Sequence, residues 1–222
     1  GKKRLDRAIK KFNTEEFTII DNKIVCLAGD GCLMEGVTNE AVSFAGHLSL
    51  DNLILIYDSN DITLDGPLSD SCSEDFTKKF EACGWDVFCV DGHSFEELSE
   101  VFSGLRKSQT KPCMIIAKTE IGKGSPNKAG SHSSHGAPLG TDEVLLTKKA
   151  IGASLEEDFF VPQSTKTFFS AKSREGDSLE EQWNDTFKKW SMKFPDKASV
   201  YQSMLDKKIP QINIAVKFIE TK

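Results

Sequence analysis

The chain has 222 residues, and its 28 Lys and Arg against 34 Asp and Glu give a formal net charge of −6. That length suits one large domain, or one domain with an extension, and is enough to bury a real core. A mildly acidic chain lacks the clustered basic face of a nucleic-acid binder. No apolar run approaches the roughly 20 residues that span a bilayer. Neither nucleic acid nor a membrane is therefore expected as a partner.

The N-terminus carries no apolar stretch of the signal-peptide kind. Residues 3–12 place Leu5, Ala8, Ile9 and Phe12 on one helical face. This helix begins almost at residue 1 with no capping residue before it, so a truncated start is expected. Residues 23–28 form a short apolar run and read as a buried strand of a parallel sheet. Gly29 and Gly31 break it, and a helix over 35–47 follows, with Val37, Ala41, Phe44 and Ala45 as its apolar side. The second strand is expected over 52–58. A helix over 73–83 comes next, with Ser73 as its N-cap and Phe76, Phe80 and Ala82 inward.

A third strand is expected over 85–90, a helix over 95–105 and a fourth strand over 113–117. Residues 120–140 form a long Gly/Ser loop holding His132 and His135, two of the four histidines. A loop of this length in a compact domain is usually functional or disordered. Thr141, Asp142 and Glu143 read as the capped start of a helix reaching about Gly152. Residues 155–176 read as irregular, 178–194 as a helix with Leu179, Trp183, Phe187 and Trp190 on one face, and 196–205 as another. That aromatic stripe reads as core packing. The tail from Lys207 has a mixed pattern and receives no assignment.

Strands alternating with helices of 10–15 residues predict an α/β fold. Its sheet is doubly wound and mostly parallel, flanked by helices, with a helical C-terminal extension. The expected division is 1–154 and 155–222. Six cysteines without a Cys-x-x-Cys pair argue against a zinc or thioredoxin-type motif. They suit a reducing, cytoplasmic compartment.

In doubly wound sheets, ligands sit beyond the C-terminal strand ends. Two of these ends carry hard oxygen donors, Asp30 after the first strand and Asn60 after the second. Mg2+ takes oxygen ligands in octahedral geometry and commonly keeps one or two protein carboxylates plus phosphate oxygens and water. The pair would suit a Mg2+ completed by a diphosphate, with glycines admitting the anion and the following helix aiming its amides at it. Gly-Asp-Gly as a tight turn, and Asp-Ser-Asn as a loop start, explain the same residues without a ligand.

Gly29-Asp30-Gly31 followed some thirty residues later by Asn60 resembles the thiamine-diphosphate fingerprint. The fuller strings are Gly-Asp-Gly-Cys-Leu-Met-Glu-Gly-Val, Tyr-Asp-Ser-Asn-Asp-Ile-Thr-Leu-Asp-Gly, Phe-Glu-Ala-Cys-Gly-Trp and the loop ending His-Gly-Ala-Pro-Leu-Gly. Together they closely resemble the transketolase family, tightly over residues 14–145. The resemblance implies Asp30, Asn60 and the backbone carbonyl of Ile62 as Mg2+ ligands, with Ca2+ or Mn2+ as possible substitutes. It implies that the Gly29 amide contacts the diphosphate beside Gly31, and that Leu64 packs on the thiazolium ring. Glu35 is similar to an acid that links the two cofactor sites of a homodimer, and His135 to a histidine lining the cofactor and sugar pocket. Each has a plainer explanation: Glu35 as a helix-terminus charge, His132 and His135 as ordinary loop residues, Leu64 as a merely apolar position. Lys123 departs from the aromatic residue of the family's Ile-Gly-x-Gly-Ser turn.

The resemblance further implies sugar phosphates as substrates and transfer of a two-carbon ketol group in the pentose phosphate pathway. The family's upstream histidines and Gly-Pro-Leu-Gly-Gln-Gly-like stretch are not found in this sequence, nor is the domain whose glutamate activates the cofactor. The expectation is therefore a partial diphosphate-binding domain, inactive by itself. Two alternatives stand beside it: a non-catalytic binding or assembly module, and a related synthase or dihydroxyacetone-type transferase.

Overall fold

A computed structural model describes residues 11–208. They fall into two compact units, Asn22–Val161 and a second made of 11–21 with 162–208. The second unit is discontinuous in sequence. Most of the expected N-terminal helix, 3–10, and most of the tail, 209–222, lie outside the described residues.

Four strands build the first unit: β1 (Ile24–Gly29), β2 (Leu53–Ser59), β3 (Asp86–Asp91) and β4 (Cys113–Lys118). All pair in parallel, in the order β1-β2-β4-β3. Five helices accompany them: α1 (Asp30–Met34), α2 (Gly36–His47), α3 (Phe76–Ala82), α4 (Phe95–Lys107) and α5 (Thr141–Ala150). β4 is buried on both faces from Cys113 to Ala117, which is why its sequence is a continuous apolar run. On one side, Leu55, Tyr57, Met114 and Ile116 pack with Val42 and Ala45 of α2 and Phe76 and Phe80 of α3. On the other, Ile54, Cys113, Ile115 and Val90 pack with Leu105 of α4, and Leu98, Val101 and Phe102 lie against them. Helices on both faces make the sheet doubly wound, as the alternating pattern predicts.

β1 is parallel but not the buried strand its apolar run suggests. It pairs only with β2 and stands at the sheet edge. Val25 is 54% and Leu27 76% exposed. Their register partners Ile54 and Ile56 belong to the α4 side, and α4 does not extend over β1.

Two helix starts also differ from expectation. The N-cap of α3 is Asp75, not Ser73; Asp75 Oδ1 accepts from Lys78 N at 3.1 Å. The carboxylate sits one position before the first helical residue, where it can reach the third amide. α5 starts after Gly140, at φ 88°, with no side-chain cap. The Glu143 carboxylate that was expected there turns to another partner, described below. Gly46 of α2 touches the turn after α3 so closely that an added Cβ would lie 1.6 Å from the Cys83 carbonyl oxygen. Trp85 Nε1 donates to Val42 O at 2.9 Å and fastens the same contact.

The second unit contains α6 (Gln163–Lys193) and α7 (Pro195–Leu205). Phe12, Ile19 and Trp190 form its core with Phe187, Phe194 and Tyr201 against them. Asn13 Oδ1 accepts from the amides of Ile19 and Ile20 at 2.9 and 2.8 Å and shapes the incoming segment. Phe187 and Trp190 of the stripe pack in the core, as their spacing predicts, while Trp183 stacks on Phe187 at 5.0 Å but stays 36% exposed. Leu179 is 60% exposed and takes no part. Residues 163–176, expected to be irregular, are the first turns of α6. Phe168 and Phe169 there stay 58% and 64% exposed, so this stretch has no buried face for a periodicity argument to detect. The Pro195 ring starts α7 at a position that needs no amide. Among the described residues, no helix is long and apolar enough to cross a membrane.

Ile115 is fully buried, so Ile115→Ala is expected to lower stability by about 2–5 kcal/mol. Leu27→Ala, on the exposed face of β1, is expected to change it by about 0.5 kcal/mol or less. Urea unfolding followed by circular dichroism checks both; equal losses would mean that the outer face of β1 is covered.

Candidate functional site

A cleft of about 930 Å³ opens beyond the C-terminal ends of all four strands. Each strand end delivers residues to it: Gly29 and Asp30 from β1, Asp58 and Asn60 from β2, Gly92 and His93 from β3, Thr119 to Gly122 from β4. Gly31 lies within α1 and Glu35 directly follows it, and Ile62, His135 and Gly136 come from loops. Of the residues singled out in the sequence, Gly29, Asp30, Gly31, Glu35, Asn60, Ile62 and His135 line this cleft. Leu64 does not; it is 68% exposed, beside the antiparallel bridge between Ile62 and Pro67.

Asp30 is only 2% exposed. One carboxylate oxygen accepts from the Tyr57 hydroxyl, and Oδ2 accepts from Asn60 N at 3.2 Å. The carboxylate therefore bridges the ends of β1 and β2. Asn60 Oδ1 in turn accepts from Ile62 N at 3.0 Å, so the three residues form one short chain of bonds. Tyr57 is held well above the ordinary phenol range, first by burial and then by its bond to Asp30. It donates and stays neutral.

A short helix, α1, begins at Asp30 itself, five residues before the helix expected over 35–47, and lasts only five residues. Glu35 breaks it in extended conformation and becomes the N-cap of α2, with no side-chain capping bond. Glu35 thus stands at a helix N-terminus, where the plain explanation puts its charge, and it also lines the cleft.

Two glycines are required by the geometry. An added Cβ at Gly92 would lie 2.5 Å from Thr119 Cγ2 and 3.1 Å from Lys118 O, because the ends of β3 and β4 approach closely. Gly122 has φ +63° and would meet Ser134 Oγ at 2.7 Å. Gly29 and Gly31, by contrast, face open space. A side chain there would intrude only on the cleft, so these positions form a cradle that a Cβ would fill.

Two residues that the sequence reading passed over, His93 and Thr119, line the cleft. His93 Nε2 accepts from Glu120 N at 3.0 Å, which places the ring proton of the neutral imidazole on Nδ1. Thr119 Oγ1 donates to Asp58. The Asp-Gly-His step at the end of the third predicted strand was the available signal for His93. Glu143, outside the cleft, is 7% exposed, and Ser125 3%. Its carboxylate accepts from Ser125 Oγ and, at 2.8 Å each, from Asn127 N and Asn127 Nδ2. These bonds, Ser125 foremost, hold it below the usual carboxylate range.

The lining includes the carboxylates of Asp30, Glu35, Asp58 and Glu120 and no Lys or Arg. Such a surface repels a bare anion and attracts a cation. Among the described residues, no group of three or more His, Cys, Asp or Glu side chains is placed to hold a metal ion. The oxygen donors at the ends of β1 and β2 are the Asp30 carboxylate and the Asn60 side-chain amide, joined through the Asn60 backbone amide. Oxygen donors of this kind suit a hard cation that takes the rest of its shell from phosphate and water.

Residues 4–210 match the family model described as the thiamine diphosphate binding domain of transketolase. The chain belongs to the transketolase family. It is 43% identical over 202 residues to the transketolase of Bacillus subtilis, covering 90% of this chain and 30% of that protein. It is also similar to the solved transketolase of Leishmania mexicana, with TM-score 0.86 and 32% identity over 92% of this chain and 32% of that one. A third similarity is to the Pichia stipitis transketolase solved in complex with sedoheptulose-7-phosphate, with TM-score 0.86 and 34% identity over 93% of this chain and 31% of that one. The chain thus spans about 30% of the length of the curated transketolases it matches. The sheet and its flanking helices are those of the transketolase fold.

The two kinds of glycine differ in what a side chain would do. Gly92→Ala is expected to destabilise the protein by about 1–3 kcal/mol, as overpacking does, whereas Gly31→Ala leaves the unfolding midpoint unchanged or slightly raised. Urea denaturation of both variants measures this, and a loss at Gly31 matching that at Gly92 would contradict an open cradle.

Proposed function

We propose that this chain is the diphosphate-holding part of a transketolase. The whole enzyme would move a two-carbon ketol group from a ketose phosphate to an aldose phosphate in the non-oxidative pentose phosphate pathway. The observation that carries this reading is the bond that joins two strand ends, the Asn60 backbone amide donating to Asp30 Oδ2 at 3.2 Å, in a cleft lined by four carboxylates and no Lys or Arg. A diphosphate entering such a cleft requires a counter-cation, and hard oxygen donors stand where one would be needed.

In this reading, Asp30, Asn60 and the carbonyl of Ile62 hold Mg2+, for which Ca2+ or Mn2+ would substitute. Gly29 and Gly31 leave room for the diphosphate, and the Gly29 amide faces it. Tyr57 and the Asn60 amide fix the Asp30 carboxylate before any ligand arrives. Leu64 offers an exposed apolar side chain to the thiazolium ring. His135 faces the sugar, and Glu35 lies at the margin where a second subunit of a homodimer would approach. Thiamine diphosphate, when bound, supplies the carbanion-stabilising chemistry of ketol transfer. The chain's own residues anchor and orient it. Sugar phosphates are the proposed substrate class; the sedoheptulose-7-phosphate complex of the Pichia stipitis relative supports it.

Calorimetry with thiamine diphosphate and Mg2+ tests the assignment. This chain alone is expected to bind weakly, because Leu27, part of the cleft lining, is 76% exposed. In a full-length transketolase carrying this segment, Asp30→Ala and Asn60→Ala are each expected to weaken cofactor binding about tenfold or more, about 1.4 kcal/mol, and to abolish ketol transfer. Unchanged affinity in either variant would remove the metal assignment. Intact binding without ketol transfer in the unmutated full-length protein would favour a non-catalytic binding module.

A further inference from the structure

We propose that Glu143 is the positioning residue for the 120–138 loop, fixing from outside the cleft the segment that brings Ile121, Gly122 and His135 into it. The inference deepens the reading above, since it concerns the loop that carries His135.

The sequence suggests Glu143 as a helix cap, and the structure gives it different work. A carboxylate that is 7% exposed must be met by donors. Here the donors to its carboxylate come from one three-residue turn: Ser125 Oγ, Asn127 N and Asn127 Nδ2. The turn is thus tied to the first turn of α5 by bonds to a charged acceptor, which are the stronger kind.

The bonds continue toward the cleft. Ser125 Oγ accepts from Lys128 N at 3.2 Å. Lys128 O accepts from Ser134 Oγ at 2.7 Å, and Lys128 Nζ donates to Leu139 O at 2.8 Å. Gly130 N donates to Ile121 O at 2.8 Å. Ser134 directly precedes His135, whose amide donates to His132 O at 2.9 Å. One carboxylate therefore stands at the root of a bonded path that ends on both cleft-lining parts of the loop. Glu143, Ser125 and Asn127 do not themselves line the cleft. Their influence on it passes through the loop.

The test needs no cofactor. Hydrogen exchange is measured on the 222-residue chain with Glu143→Ala and Glu143→Gln. In Glu143→Ala, amides of 120–138 are expected to exchange about tenfold faster or more, as losing a buried charged acceptor predicts, while β4 keeps its protection. Glu143→Gln, which retains one acceptor oxygen, is expected to recover part of the protection. In the imidazole region of the proton spectrum, His132 and His135 should shift in both variants and His47 should not. Unchanged exchange over 120–138, or an equal rise in β4, would overturn the proposal. So would a shift of all four histidines together, which marks general loosening. If Glu143→Ala does not fold, Glu143→Gln and Asn127→Ala carry the same comparison with the same outcomes. Failure here leaves the Asp30 and Asn60 titrations untouched. Failure of those titrations leaves the exchange result standing.

Discussion

The site depends on one buried carboxylate. Asp30 is the first residue beyond β1, and its two oxygens accept from Tyr57 in β2 and from the amide of Asn60 just beyond β2. A carboxylate withdrawn from water is tolerated only when its oxygens are met. Here the same bonds that satisfy it also set the spacing of two strand ends. The parallel register of β1 and β2, with Gly29 opposite Asp58, brings the donors to it. Tyr57 is anchored from the other side by Phe76, at 5.5 Å and nearly perpendicular. The orientation of Asp30 is thus tied to the main hydrophobic core, through a ring that packs and a hydroxyl that donates.

The cleft grows out of that arrangement. β3 and β4 end level with β2, so His93 and Thr119 line the same cleft as Asp30 and Asn60. Gly92 lets these ends close up, and the open space at Gly29 and Gly31 keeps the opposite wall free. The result is a cavity with acidic side chains, no basic ones and a glycine-lined side. The imidazoles of His93 and His135, the Asn60 amide and the Thr119 hydroxyl are among its other polar groups. Such a surface discriminates by what must accompany an anion, not by charge attraction to the anion itself.

Much of this was legible in the sequence, for identifiable reasons. Strands buried on both faces, such as Cys113–Lys118, write themselves as apolar runs, and amphipathic helices such as Phe95–Lys107 show their period. Asp30 and Asn60 stood out because each follows such a run. What was hidden depends on partners remote in sequence. Val25 and Leu27 look like core residues until the position of α4 is known. The first turns of α6 have no buried stripe, so their helicity left no periodic mark. Glu143 sits where a capping residue belongs, and only the fold reveals that a turn sixteen to eighteen residues earlier takes its oxygens. His93 draws its position from an amide 27 residues away, a pairing that no local pattern encodes.

Gly46 has a reach that its small size conceals. It meets the Cys83 carbonyl where any side chain would collide, and so it sets how near the far end of α2 can lie to the turn before β3. α2 is a stiff rod of twelve residues, and Gly36 at its other end is about 15 Å away at 1.5 Å per residue. Glu35 is joined directly to that end. The absence of one methyl group therefore acts as the fulcrum of a lever. Its short arm rests on the Cys83 turn, and its long arm decides where an acidic side chain stands at the margin of the cleft.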